Sequence, residues 1–413
     1  MNKVYRIKWC DTRQGWIVVS ELSGRVSRKA SAGSRRRKMK RALRLLVKVC
    51  VGFISGSLFT VGVAFAELPT GGTLTAGQAT IEQSADSLTV QQQSDRAAID
   101  WQTFNVGRDN SVHFEQPSSS SAILNRILDS NPSQIFGQIT ATGQVYLTNP
   151  QGLYFSPEAT VDVGGLVATT HSINVDDFMN GTITFERNGA TGSIINEGLL
   201  HAELGGYIAL LAPEVINQGV VVAEAGTVLM ASGEQITLNF GDDSSLVGFT
   251  ATASDIQTHI DNRHAVLAPG GQIILSAIAL NDLQGGVINN SGELSATSMV
   301  ERGGKIYLEA DTINVASGSK LDASGATGGG EVLIGGDWQG AGEMHQATTV
   351  NIEQGAVINA SAIESGDGGK IVAWSDVKNT DSHTAVHGEL IAKGGEQGGD
   401  GGQIETSGYI VDV

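Results

Sequence analysis

The sequence predicts an all-β chain folded as a right-handed parallel β-helix, a solenoid, preceded by a signal peptide. Three observations point there. Glycine reaches 54 of 413 residues while aromatics stay at 5% and hydrophobic residues at 40%. After residue 66, runs of about four to six residues alternate apolar with polar and are punctuated by Gly, Asn and Ser, the grammar of strands and turns. Two short phrases also recur along the chain, as solenoid repeats do.

The first phrase is a double glycine, one residue, then alternating apolar positions. It starts at Gly205-Gly206, Gly270-Gly271, Gly303-Gly304, Gly329-Gly330, Gly368-Gly369 and Gly401-Gly402. The second is an apolar residue, Asn and a short polar turn, as at Ile195-Asn196, Ile216-Asn217, Ile288-Asn289-Asn290 and Ile358-Asn359. Stacking one repeat per coil buries a shared core that no repeat buries alone. With twenty-odd residues per coil, the chain after residue 66 predicts about fifteen coils and a rod of roughly 70 Å. A β-propeller or sandwich is the alternative, but the regular blade period and aromatic signatures of a propeller are missing. The one piece with helical character lies near Asp176–Met179.

Taken in order, the chain opens on a basic segment. Residues 1–66 carry 15 Lys and Arg against 2 acidic residues, and the remainder carries 11 against 41. Residues 28–48 form a cationic n-region after the 1–27 front. Residues 49–66 form an uncharged apolar stretch closing in Ala64-Phe65-Ala66, a small-x-small cleavage pattern. At this length, and with no stop-transfer pattern behind it, a cleaved signal is favoured over a membrane anchor. Cys10 and Cys50 both fall in the signal, so the exported chain holds no thiol nucleophile and no cysteine-ligated metal. The front, with Tyr5-Arg6, Trp9 and Trp16-Ile17-Val18-Val19, resembles the extended signal peptide region of type V secreted proteins. Cys10 stands where that family usually has Asn.

Residues 68–175 differ from the glycine-rich repeats downstream. They hold five of the seven prolines, including those of Asn131-Pro132 and Asn149-Pro150-Gln151-Gly152. The second of these suits a type I turn: Asn favours the first position, Pro fixes φ at the second and Gly fits the fourth. It joins the alternating runs Val145–Leu147 and Leu153–Phe155, so a tight coil corner is expected from the residues alone.

The stretch from Trp101 to Thr170, with Asn131-Pro132 and Asn149-Pro150-Gln151-Gly152 at its centre, resembles the two-partner secretion (TPS, haemagglutination activity) domain of filamentous-haemagglutinin-like exoproteins. Gln151 replaces the second Asn of the family's Asn-Pro-Asn-Gly, and Thr142 replaces the Asn of its Ala-Asn-Gly; a turn accommodates the first change. The resemblance implies three parts: a signal over 1–66, a TPS domain over 67–180 capping the β-helix, and repeats over 181–413. It implies Sec export and signal peptidase cleavage near Ala64 and Ala66. It further implies an outer-membrane partner of the Omp85, or TpsB, type with POTRA domains, and a product secreted or held at the surface of a Gram-negative bacterium. Asn131, Pro132, Asn149, Pro150, Gln151 and Gly152 become the candidate residues for transporter recognition or for the turn itself.

The acidic remainder repels nucleic acid and anionic lipid, so neither is an expected partner. No catalytic residue, metal site or cofactor is assigned. Asp176-Asp177 and Asp242-Asp243 read as solvated turn pairs, and His383 and His387 as surface polar residues whose spacing would suit a metal only on a helix. Gly366-Asp367-Gly368-Gly369 and Gly398-Gly399-Asp400-Gly401-Gly402 read as corners where glycine supplies positive φ. The leading expectation is a secreted adhesin with a host-cell or bacterial-surface receptor. The alternatives are the export-and-stalk part of a larger haemolysin or contact-dependent toxin, or a β-helical carbohydrate-active enzyme. The sequence stops inside a repeat phrase without a polar cap, which predicts a fragment, a truncated gene or a short secretion-domain protein.

Overall fold

The computed structural model describes residues 5–10, 15–20, 68–280 and 285–413. The chain divides into two units, Met1–Val63 and Ala64–Val413. In the first, strands Tyr5–Cys10 and Gly15–Ser20 pair antiparallel, with Trp9 opposite Trp16. The predicted cleavage residues Ala64 and Ala66 lie outside the described residues.

The second unit is a parallel β-helix with three faces. One coil reads Gln138–Ala141 on the first face, Gln144–Thr148 on the second and Gly152–Phe155 on the third. Each strand pairs in parallel with the same face of the next coil, as Ile139 does with Val161 and Leu153 with Ile194. Parallel register stacks like on like. Val112, Ile139, Val161, Leu200, Val221 and Val266 form one continuous row inside the lumen, each fully buried. Burying an aliphatic side chain of this size stabilises by about 1.5–3 kcal/mol, so the alternation seen in the sequence is the lumen pattern itself.

Eleven coils stack between Ser87 and Asp412, not fifteen. The shortfall has three causes: residues before Ser87 form reversed strands rather than a coil, the coils after Ala265 run longer than the twenty-odd residues assumed, and two segments leave the helix and return. Residues 170–192 leave from the coil of Thr160–Thr169 and carry helix Val175–Met179 and strand Thr184–Glu186. Residues 233–257 leave two coils later and carry strands Gln235–Phe240 and Leu246–Thr252. The three inserted strands form one antiparallel sheet laid over the outside of the second face. At about 4.8 Å per coil, the stack is closer to 50 Å than 70 Å.

The insertions create a second core. Phe178, Phe185, Ile236 and Leu238 from above meet Tyr146, Val167, Tyr207 and Leu229 from the outer side of the second face. The helix starts where expected because Asn174 caps it, accepting from the backbone N–H of Asp176 and Asp177. A smaller cluster, Leu333, Val372 and Trp374, is covered by Trp338 and Met344 farther along.

The first coil ends the stack differently. Strand Thr73–Ala76 runs antiparallel to Arg96–Trp101, and Ala79–Gln83 antiparallel to Ser87–Gln92. These two reversed strands cover the edge that a parallel stack would otherwise leave open.

Candidate functional site

Both Asn-Pro pairs lie at the corner between the second and third faces, in successive coils. Asn149 is fully buried although it begins a turn whose Pro150 and Gln151 are exposed. Its Oδ1 accepts from the Gln151 N–H at 3.0 Å, and its carbonyl accepts from the Gly152 N–H at 3.0 Å. Its Nδ2 crosses to the previous coil and donates to the carbonyl of Asn131 at 3.1 Å and to Ser133 Oγ at 3.0 Å. Its N–H donates forward to Thr169 O at 2.9 Å. Asn149 therefore binds the coils on either side as well as its own turn, and a side chain without both a donor and an acceptor cannot do all of this.

Gly152 has φ +120, and a Cβ there would press on the Ser193 carbonyl of the following coil. The fourth turn position is thus constrained twice, by conformation and by packing. Asn131 and Pro132 are exposed, and Asn131 is held by Asp129, whose Oδ1 accepts from its N–H at 3.1 Å and its Nδ2 at 2.9 Å. Gln151 is exposed and enters the turn through its backbone N–H, which is why Gln serves where the related pattern has Asn.

One coil earlier the same corner carries Asn105, whose Oδ1 accepts from the Gln134 N–H at 2.8 Å. Two residues missed by sequence reasoning complete the group. Asn125 is fully buried, accepts from Trp101 Nε1 at 2.9 Å and donates to Tyr146 O at 3.3 Å. Ser133 receives the Asn149 amide. Neither stands in a repeated phrase, so only the register of the coils exposes them. Just beyond the turn, Tyr154 donates to Glu197 Oε2 at 2.5 Å, and that bond pushes the phenol up to about 12.

The second repeated phrase resolves into a ladder on the third face. Asn196 donates to Asn217 at 2.9 Å, Asn217 to Asn262 at 2.8 Å and Asn262 to Asn290 at 2.7 Å, all fully buried. Two members of the phrase fall elsewhere. Asn289 points outward, and Asn359 lies on the first face, donating to Asp322.

The double glycines stack at the corner between the first and second faces. A Cβ on Gly206, Gly226, Gly271, Gly304, Gly330, Gly369 or Gly402 would strike the carbonyl oxygen of the corner glycine in the preceding coil. The phrase therefore marks the closest approach of successive backbones.

The other candidates disperse. Asp176 and Asp177 sit in the first turn of the inserted helix. Asp243 lies at the tip of the inserted hairpin, where the Ser245 hydroxyl and N–H hold its carboxyl below the usual range. His383 is on strand His383–Val386, and His387 comes just after it, 3.6 Å from Asp412. The two Gly-Asp-Gly-Gly loops stack on each other: the Gly366 N–H meets Gly398 O at 2.8 Å, and Asp367 Oδ1 accepts from the Asp400 N–H at 2.7 Å. Gly366, Gly398 and Gly399 take positive φ there, as corners require. Among the described residues, no group of three or more His, Cys, Asp and Glu could hold a metal ion.

Comparison with known proteins gives the same picture from another side. A family model described as the TPS secretion domain matches residues 66–323, and one described as the extended signal peptide of type V secretion systems matches residues 1–50. Two heme/hemopexin-binding proteins of Haemophilus influenzae are similar. One is 31% identical over 262 residues, which is 62% of this chain and 28% of that protein. The other is 30% identical over 278 residues, 62% of this chain and 30% of that protein. This chain thus spans less than a third of the length of these relatives. The crystal structure of the HMW1 secretion domain from Haemophilus influenzae matches with a TM-score of 0.66 at 26% identity, covering 84% of this chain and 96% of that one.

Proposed function

The chain belongs to the TPS secretion domain family, and from that membership we propose that the Asn131–Gly152 corner is what its outer-membrane transporter depends on. The chain is a two-partner exoprotein with an extended signal peptide, exported across the periplasm and secreted or displayed by a Gram-negative bacterium. Its implied partners are the Sec machinery and a transporter of the TpsB, Omp85-type class.

In this proposal the periplasmic POTRA domains of the transporter recognise determinants within residues 67–180, and the coils of 181–413 act as a stalk. The whole product is an adhesin, a non-enzymatic interaction protein with a cell-surface receptor. One observation carries the role of the corner: the single residue Asn149 joins three successive coils by side chain and backbone. A chain that folds as it emerges needs its first coils to set the register for the rest, and a buried amide satisfied on both sides fixes register strongly.

Secretion is the test. The chain is expressed with and without its cognate transporter, and the culture medium is assayed. Appearance outside only with the transporter, lost on Asn149→Ala and kept on Gln151→Asn, supports the reading. Retention of the wild-type chain in both cases, or full secretion of Asn149→Ala, refutes it.

A further inference from the structure

Where the two insertions leave the β-helix, a histidine joins them. His171 is the second residue of the first insertion, and Gly233 is the first of the second. The His171 ring is fully buried, and its Nε2 lies 2.9 Å from the Gly233 carbonyl. Only a protonated Nε2 can make that bond, because a carbonyl accepts and never donates. The other ring nitrogen, Nδ1, is buried without a hydrogen-bond partner, and so is the hydroxyl of the adjacent Thr170. The backbone N–H of His171 is occupied by Thr169 Oγ1 at 2.9 Å. The site therefore suits a neutral imidazole with one N–H, and no hydrogen bond in the fold receives a second.

We propose that His171 is an acid-released latch: neutral, it fastens the two insertions at their common base, and protonated, it frees them from the outside of the second face. Adding a proton to Nδ1 places a full charge and an unpaired donor in a fully buried site. Burial is also the largest influence on the ring, and it holds the imidazole below its ordinary range. Charged groups face the ring from both insertions. Glu234, next to Gly233, favours the protonated form, and Arg187 opposes it. Arg187 is itself buried and clasped between Glu234, at 2.7 Å, and Asp255.

A ring whose pKa is lower folded than unfolded contributes stability that is present above the unfolded value, about 6.5. That stability is lost as pH falls below it. The unlatched form uncovers Tyr146, Val167, Tyr207 and Leu229, the apolar floor now beneath the insertions. Acid would thus convert a covered face into a sticky one without dismantling the lumen, whose rows are made elsewhere.

Hydrogen–deuterium exchange on the secreted chain at pH 7.5 and pH 5.0, corrected for intrinsic rate, tests this. The expected result is at least a tenfold rise in exchange at acid pH confined to 170–192 and 233–257, with lumen strands still protected. In His171→Gln, which keeps a donor toward Gly233 but cannot titrate, the rise should disappear. An equal rise in the variant overturns the latch. Should that variant fail to fold, the imidazole resonance of wild-type His171 decides. A midpoint at or above about 6.5 overturns the proposal, and a lower one, coincident with the opening of 170–192, supports it.

Discussion

Tyr207 reaches back across Gly165 to meet Tyr146, hydroxyl to hydroxyl at 2.9 Å, although the two residues sit two coils apart. Gly165 is what permits this, since a Cβ there would lie 2.8 Å from the Tyr207 ring. Gln144 Oε1 accepts from the Tyr207 hydroxyl at 2.9 Å and completes the group. Burial pushes Tyr146 up to about 12 and Tyr207 well above its usual value.

These phenols should give a spectroscopic signal in alkali. A phenol whose pKa is raised on folding contributes stability that is intact below about pH 10 and lost as pH climbs toward the folded value. Titration at the phenolate absorbance should show Tyr146 and Tyr207 silent at pH 10.5, then ionising together with unfolding. Tyr207→Phe should leave Tyr146 protonated there too, because burial rather than the shared bond is the larger influence.

The asparagine ladder should be costly to interrupt. Asn217→Ala leaves the Asn196 donor and the Asn262 acceptor without their partner in a buried row. Unsatisfied buried groups cost about 1–3 kcal/mol each. A loss of about 3 kcal/mol, read from the guanidinium midpoint of the secreted chain, is expected. Asn314→Ala, on the half-exposed outer side, should lose less than about 1 kcal/mol.

Two glycines give opposite answers to one methyl group. Gly271→Ala drives a Cβ into the Gly226 carbonyl, and overpacking of this kind costs about 1–3 kcal/mol. Gly248→Ala, on the inserted hairpin, meets nothing within 4 Å and should be within about 0.5 kcal/mol of wild type. Thermal midpoints of the two variants separate them.

The corner turn divides its labour in the same way. Asn149→Ala should lower both stability, by about 2–3 kcal/mol, and transporter-dependent secretion. Gln151→Asn and Gln151→Ala should leave both unchanged, since Gln151 contributes only its backbone N–H. Quantifying the protein in the medium against the cell pellet distinguishes these outcomes.

The solenoid class is legible in the sequence because a lumen imposes its period on the chain. Val221 and Val266 alternate with outward residues for the same reason that Ile139 and Val161 do. The double glycines are legible as repeats, but their cause, carbonyl against α-carbon between coils, needs the register. The coil count is not legible. Gln235–Phe240 and Leu246–Thr252 alternate like coil strands yet pair antiparallel over a different core, and sequence alternation is blind to pairing direction. Asn359 misleads for a related reason: the same dipeptide suits the first face, where it points away from the ladder. Asn149 and Gly152 stand out in the sequence because turn chemistry is local. Asn125 and Ser133 do not, because their partners lie 24 and 16 residues away.

The two reversed strands at Thr73–Ala76 and Ala79–Gln83 give the rod a polarity. In the language of polymers, that terminus is dead: an antiparallel lid presents the wrong edge for another parallel coil. The opposite end of the stack, at Gln403–Ser407 and Ile410–Asp412, presents a parallel edge. The first coil lies directly against the lid, and every later coil lies against a coil before it. A rod built this way can differ in length by whole coils at that end while its lid stays the same.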